Sequence, residues 1–178
     1  MLLRTERLVL RDWRPADLEP FAAINADPDV MEFFPHPLDR EASDQMVQRM
    51  QRGIEHRGFG LLAVERTETG QLIGFVGLSE PRFEAHFTPA VEVGWRLARP
   101  AWGQGFAPEA ASAVLADGFG RVGLDEVVSF TTEANVRSRA VMRKLGMTRD
   151  PGDDFDHPLL PAGHPLRRHV LYRLQRPK

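Results

Sequence analysis

The stretch that decides the fold runs from Trp102 to Ala111 and has the sequence WGQGFAPEAA. Gly103 and Gly105 let the backbone approach an anion closely, because no Cβ stands in the way. Pro108 suits the first turn of a helix, and apolar residues recur at helical spacing from Glu109 to Phe119. The free N–H groups and the positive dipole end of such a helix attract phosphate. We therefore predict a pyrophosphate-binding loop at the start of a helix.

A glycine-rich turn between a strand and a helix can also be a plain tight connection, so this motif needs a second signal. Two nucleotide-binding motifs fail on the residues. The mononucleotide P-loop requires Lys and then Ser or Thr after its last glycine, where this chain has Phe106 and Ala107. The dinucleotide fingerprint requires a third glycine, where this chain has Glu109 and Ala110.

The sequence resembles the GNAT superfamily of N-acetyltransferases, and its RimJ/RimL-type branch in particular. Glu92–Leu97 followed by Trp102–Ala107 is similar to the segment that binds acetyl-CoA in that family. Asn135–Met147 is similar to the family's helix that begins Asn-x-x-Ser and ends in Lys-Leu-Gly and an apolar residue. Thr5–Arg11 resembles, more weakly, the first strand of the branch. Trp102 stands where the family has Gln or Arg, a departure that is usual in this branch.

The resemblance implies an α/β (α+β) GNAT fold, a mixed and mostly antiparallel sheet with helices on both faces. The sheet splays between its fourth and fifth strands, which here contain Glu92 and Val127. Strand edges that separate leave N–H and C=O groups unpaired, and the pantetheine arm of acetyl-CoA can satisfy them. We expect residues 1–178 to form one such domain.

Hydrophobic periodicity elsewhere predicts alternating strands and helices. The expected strands are Arg7–Arg11, Phe59–Glu65, Leu72–Leu78, Ala90–Leu97, Glu126–Thr132 and Val170–Leu174; the expected helices are Leu18–Ala26, the segment between Asp39 and Gly58, Glu109–Phe119 and the helix that follows Asn135. Asp17 and Asp39 are expected N-caps. The proline-rich stretch from Asp150 to Arg168 is expected to be an irregular loop at a substrate mouth.

The resemblance also implies which residues contact the coenzyme. They are Trp95, Arg96 and Leu97 through their backbone, the loop residues Trp102, Gly103, Gln104, Gly105, Phe106 and Ala107, and Asn135 and Ser138 on the later helix. Asn135 either contacts the coenzyme or only caps its helix, and both roles are compatible.

Glu92 is the candidate catalytic residue. An amine must lose its proton before it attacks a thioester, and a carboxylate or an ordered water can accept that proton. Glu92 lies on the strand whose separation exposes the thioester; the alternative is a structural glutamate. Many members of the family have a tyrosine acid near the end of the Asn135 helix, but Met142 stands there, and we assign no catalysis to Tyr172.

Composition excludes several other classes of protein. The formal charge of −2 gives no general attraction for nucleic acid or anionic lipid, and no apolar run could span a bilayer, so we expect a cytoplasmic protein. Because the chain has no cysteine, thiol nucleophiles and thiolate metal sites are excluded. His157, His164 and His169 match no zinc pattern, so we expect no metal.

These observations predict an N-acetyltransferase that moves an acetyl group from acetyl-CoA to a primary amine by direct attack in a ternary complex. Protein N-termini, amino acids and small amines are all acceptors in this branch. Two alternatives stay open: a non-catalytic acyl-CoA-binding or sensing module, and a nucleotide-binding protein whose loop holds another pyrophosphate. The resemblance is compatible with a homodimer.

Overall fold

The computed structural model describes residues 1–178, which form nine strands and four α-helices. The strands are β1 (Leu2–Arg4), β2 (Leu8–Arg11), β3 (Leu61–Arg66), β4 (Leu72–Ser79), β5 (Glu92–Leu97), β6 (Glu126–Thr132), β7 (Thr148–Arg149), β8 (Phe155–Asp156) and β9 (Arg168–Gln175); the helices are α1 (Leu18–Ala26), α2 (Arg40–Arg57), α3 (Phe106–Asp117) and α4 (Val136–Lys144).

One sheet contains all nine strands, in the order β1-β2-β3-β4-β5-β6-β9-β7, with β8 beside β9. Every pair is antiparallel except β5 with β6, which run parallel and pair only at Glu92 and Val128. Beyond that point the two strands separate. The predicted splayed sheet is thus confirmed, and the separation falls between the fifth and sixth strands because the short strand β1 precedes the expected first one.

Apolar side chains bury both faces of the sheet. On one face, Val93 and Leu97 pack in a core that includes residues of α3. On the other, Phe75 packs with Phe21 of α1 and Val47 of α2. Burial of each such side chain contributes about 1.5–3 kcal/mol to folding. The helices therefore leave the space between β5 and β6 open at the middle of the sheet.

Helix α2 begins and ends as its sequence predicts. The Asp39 carboxylate accepts a hydrogen bond from the Ala42 N–H at 2.8 Å, and Gly58 ends the helix with φ of 71°. That positive φ is a conformation that only glycine adopts without strain. The N-cap prediction for Asp39 is confirmed.

Asp17 stands at the expected N-cap position of α1, but its side chain makes no capping hydrogen bond to that helix. Its carboxylate lies 2.7 and 2.8 Å from the two terminal nitrogens of Arg11, and it also accepts the Arg14 N–H at 2.7 Å. Burial alone would raise the pKa of Asp17, but the hydrogen bonds from Arg11 and Arg14 outweigh it, and the pKa lies below its usual value. A buried arginine on β2, which needs a carboxylate partner, decides the role of this residue.

Two other boundaries differ from the prediction. Helix α3 begins at Phe106, so that Pro108 lies within its first turn, and after Asp117 it continues as a π-helical turn over Gly118–Val122. The stretch from Asp150 to Arg168 is less irregular than expected, since β8 pairs with β9. The Arg149 guanidinium and the Asp154 carboxylate form an ion pair next to this short strand.

We predict that Asp17→Asn lowers the free energy of unfolding by about 3 kcal/mol at pH 7, because it leaves the buried Arg11 with a weakened partner. Asp44→Asn is the matched control, since Asp44 pairs with Arg40 on the surface of α2 and the change should cost less than about 1 kcal/mol. Urea denaturation measures both. Equal losses in the two variants would contradict this account of Asp17.

Candidate active site

A cavity of about 770 Å³ opens where β5 and β6 separate. Its lining includes residues from both faces of the sheet: Phe75 and Arg96 from the side of α1 and α2, and Phe106, Ala107 and Val141 from the side of α3 and α4. A cavity of this size accommodates a substrate of drug-like dimensions. All of the predicted site residues except Gln104 line it.

The edge of β5 that faces this cavity has unpaired backbone groups. The Ala98 N–H donates to the Ile73 C=O at 2.8 Å, and β4 and β5 keep one unbroken register. Because backbone groups alternate along an antiparallel ladder, Arg96 directs its N–H and C=O toward β4, whereas Trp95 and Leu97 direct theirs into the gap. The Arg96 backbone is therefore already paired with β4 and is not free for the expected contact with a coenzyme. Both backbone groups of Trp95 and the Leu97 N–H remain available, whereas the Leu97 C=O accepts a hydrogen bond from the Trp102 indole.

The loop before α3 has the geometry of an anion cradle. Gly103 and Gly105 adopt φ of 73° and 80°, and no atom lies within 4 Å of the position that a Cβ on Gly103 would occupy. Gly105 immediately precedes the first turn of α3, whose N–H groups have no partner within the helix. These amides and the open space above them fit a pyrophosphate.

Two side chains of the loop hold its shape. The indole Nε1 of Trp102 donates to the Leu97 C=O at 2.8 Å, and the Gln104 amide donates to the Pro100 C=O at 2.6 Å. Gln104 is exposed and turned away from the cavity. Its side chain therefore braces the loop, which leaves the predicted coenzyme contact of Gln104 to its backbone.

Arg7 and Glu109 anchor the start of α3, and the sequence analysis missed this contact. The Glu109 carboxylate accepts hydrogen bonds from the Thr5 hydroxyl at 2.6 Å, the Arg7 N–H at 3.0 Å and the Arg7 Nε at 2.7 Å. Arg7 also donates to the Gln104 C=O at 2.9 Å. Burial would raise the pKa of Glu109, but these hydrogen bonds outweigh it and lower the pKa. The first segment of the chain thus fixes a loop that lies about a hundred residues later.

Asn135 caps α4. Its side-chain oxygen accepts the Ser138 N–H at 3.1 Å, and its amide nitrogen donates to the Thr131 hydroxyl at 3.0 Å. Asn135 and Ser138 nevertheless both line the cavity. The capping role is present, and it places both residues beside the space that a coenzyme would occupy.

Arg137 of α4 also lines the cavity. Its guanidinium carbon lies 4.5 Å from the centre of the Trp102 ring, and its Nη2 lies 2.6 Å from the Glu32 carboxylate. It therefore links α4 to the pyrophosphate loop and to the segment between α1 and α2. No sequence motif pointed to Arg137, because these partners lie far away in the chain.

Glu92 lies where β5 and β6 begin to separate, and it lines the cavity. Its side chain is half-buried and keeps some accessible surface. Burial raises the pKa of Glu92 from 4.5 to about 8. A carboxylate with such a pKa is well matched to accept a proton near neutral pH.

Aromatic rings form the walls of the cavity on the side of α1 and α2. They are Phe33, Phe34 and Phe75 on one flank and Phe130, His157 and His169 on the other. Burial lowers the pKa of His157, and it lowers that of His169 to about 4, so both rings are uncharged at neutral pH. His157 belongs to the proline-rich stretch from Asp150 to Arg168, which we expected at a substrate mouth, and its position in the cavity wall agrees with that expectation. No sequence pattern indicated Phe33 and Phe34.

Met142, which stands at the tyrosine position of the family, and Tyr172 both lie outside the cavity. Met142 is fully buried in the core that contains α3, and Tyr172 is 4% exposed in the same core. Neither side chain lines the cavity. No group of three or more His, Asp or Glu side chains is placed to hold a metal ion, and none of the helices is both long and apolar enough to span a membrane.

A family model described as the acetyltransferase (GNAT) domain matches residues 7–148. The chain is 31% identical over 146 residues to YkkB, an uncharacterized protein of Bacillus subtilis, and the match covers 82% of this chain and 84% of that one. It is 31% identical over 153 residues to the FsC-acetyl coenzyme A-N(2)-transacetylase of Aspergillus fumigatus, covering 82% of this chain and 64% of that one.

Solved structures share the architecture. An acetyltransferase from Agrobacterium tumefaciens superposes with a TM-score of 0.79 at 31% identity, covering 98% of this chain and 94% of that one. RimL, a ribosomal-protein acetyltransferase solved in complex with coenzyme A, superposes with a TM-score of 0.78 at 15% identity, covering 98% of each chain. At that identity the second likeness shows a common fold alone.

Proposed function

Since the chain belongs to the GNAT family of acetyl-CoA-dependent N-acetyltransferases, we propose that it acetylates a primary amine by direct attack within a ternary complex. The observation that carries this proposal is the position of Glu92 at the point where β5 leaves β6. A proton acceptor, an unpaired strand edge and an anion cradle then line one cavity.

The residues present fit acetyl-CoA. Gly103, Gly105 and the first amides of α3 would hold the pyrophosphate, and the backbone groups of Trp95 and the Leu97 N–H would pair with the amides of the pantetheine arm. Asn135 and Ser138 border the same arm. When bound, acetyl-CoA supplies a thioester, whose carbonyl carbon an unprotonated amine can attack.

Glu92 accepts the proton that the amine must lose, either directly or through a water. Its raised pKa keeps it a strong enough base for this step. The thiol that leaves has an ordinary pKa of about 8.5, so it departs as a thiolate without a side-chain acid. The burial of Met142 in the core is compatible with this mechanism.

Family membership shows an acetyl-CoA-dependent N-acetyltransferase, and the class of the acceptor amine is a further part of our proposal. A RimJ/RimL-type enzyme would acetylate a protein N-terminus, an amino acid or a small amine. The aromatic walls favour an acceptor with an apolar surface that can pack against them. We propose that residues 1–178 act as one catalytic domain and that a homodimer is compatible with this site.

Glu92→Gln should lower kcat/KM about 100-fold and leave the affinity for acetyl-CoA unchanged. With an acceptor amine whose pKa lies well above 8, the wild-type pH profile should show two ionisations. The one near 8 belongs to Glu92, and activity falls below it because the protonated carboxyl cannot accept a proton. Release of free thiol measures the rate, since the chain has no cysteine of its own.

The matched control is Glu84→Gln, which removes an exposed carboxylate from the loop before β5 and should leave the profile unchanged. Persistence of the ionisation near 8 in Glu92→Gln would remove Glu92 from the mechanism. If the wild type binds the coenzyme but releases no thiol from acetyl-CoA in the presence of any amine, the result would favour a non-catalytic binding module.

Gly103→Val should weaken coenzyme A binding at least about 100-fold, because a branched side chain would project into the open space of the anion cradle, where no atom lies within 4 Å of the Cβ position. The positive φ also strains the backbone, so a control with equal strain is needed. Gly70→Val provides it, since Gly70 has φ of 67° in the β3–β4 turn and no atom lies within 4 Å of its Cβ position. Calorimetric titration of both folded variants decides; equal losses would refute the assignment of the cradle.

A further inference from the structure

The guanidinium of Arg96 is a buried cation at the wall of the cavity. Arg96 is 6% exposed and lines the cavity on the side of α1 and α2. Its Nη1 donates to the Asn25 side-chain oxygen at 2.7 Å and lies 3.7 Å from the sulfur of Met46. Its Nε is buried without any hydrogen-bond partner.

A second buried arginine of the same chain, Arg11, shows which kind of partner Arg96 lacks. Arg11 is 5% exposed and pairs with two carboxylates, those of Asp17 and Glu65. Arg96 has no carboxylate within 4 Å, and burial lowers its pKa to about 10. A buried charge without a counter-ion is strongly destabilising. Arg96 therefore lacks a partner that the fold elsewhere supplies.

The surroundings of Arg96 hold the guanidinium in one orientation. Asn25 and Ser43 are both fully buried, and the Asn25 amide nitrogen donates to the Ser43 hydroxyl at 2.8 Å. This contact fixes which end of the Asn25 amide meets Arg96. The Phe34 ring lies 4.1 Å from the guanidinium carbon, and the Phe75 ring lies 5.6 Å from it. Stacked rings cover the faces of a guanidinium and leave its N–H edge free for a planar anion.

Arg96 and Glu92 share one face of β5, with only Gly94 between them on that face. Four residues of strand place their Cα atoms roughly 13 Å apart. Gly94 has no side chain, and the Glu92 carboxylate approaches its Cβ position to 3.8 Å. A molecule on this surface can thus reach the proton acceptor with one end and the cation with the other.

We propose that Arg96 binds an anionic group of the acceptor, so that the substrate is a primary amine that also carries a carboxylate and an apolar body. The inference rests on the proposed acetyl transfer, because it identifies the acceptor of that reaction. The apolar body follows from the aromatic walls around Phe33, Phe34 and Phe130. Coenzyme phosphates are met elsewhere, at the start of α3, whereas Arg96 packs against α1 and α2.

Binding of product-like acids tests the proposal without turnover. The probes are N-acetyl-phenylalanine, N-acetyl-glycyl-phenylalanine and 6-acetamidohexanoate, each compared with its primary amide, in calorimetric titrations at saturating coenzyme A. The three acids differ in the distance from the acetylated nitrogen to the carboxylate. At one or more of these distances the wild type should bind the acid about 30-fold or more tighter than the amide.

Arg96→Gln should remove this preference for the acid, and Asn25→Asp should reduce it, because the new carboxylate would pair with Arg96 itself. Arg49→Gln is the matched control, since it removes an exposed arginine from α2 outside the cavity and should leave the preference intact. In the transfer assay Arg96→Gln should raise KM for carboxylate-bearing amines and change kcat little.

Equal binding of acid and amide by the wild type at all three distances would overturn the proposal, and this comparison needs no variant to fold. A preference that survives Arg96→Gln would also overturn it, as would a loss of coenzyme affinity in place of acid affinity. Failure of the proposed function has another signature: no thiol release with any amine, while the preference for acids persists.

Discussion

The rest of the structure depends on the point at which β5 and β6 stop pairing through backbone hydrogen bonds. The two strands share one bridge, at Glu92 and Val128, and the Val128 N–H donates to the Val91 C=O at 2.9 Å. Past this point the sheet would lose stability unless other groups met its open edges, because unpaired buried amides are costly. The cavity, the proposed coenzyme contacts and the placement of Glu92 all follow from this separation.

Backbone groups and side chains of β5 alternate in direction, so this one strand contributes three parts of the site. Backbone groups of Trp95 and Leu97 face the gap, where a pantetheine arm fits. Val93 and Leu97 direct their side chains to the core beside α3, which carries the anion cradle. Glu92 and Arg96 point to the opposite face and line the cavity there, where we propose that the acceptor binds. A shift of one residue in the register with β4 would exchange these faces and abolish the site.

Local patterns predicted the local features. The glycines of the loop, the cap at Asp39 and the hairpin of β3 and β4 follow from spacing and turn chemistry, and the structure has them all. The errors concern long side chains. Asp17 pairs with Arg11 and Gln104 turns to Pro100, because each of these polar groups needs a partner that only the folded chain provides. The expectation for Arg96 concerned its backbone, which the register with β4 already pairs.

Amide-resolved hydrogen exchange with and without coenzyme A tests the central claim most directly. If the open edge of β5 and the loop before α3 hold the coenzyme, then exchange should slow at the amides of Trp95, Leu97 and Gly103–Ala107. The Arg96 amide, which already pairs with β4, should change little. Unaltered exchange at Trp95 and Leu97, despite saturating coenzyme, would contradict the account of how the separated strands are used.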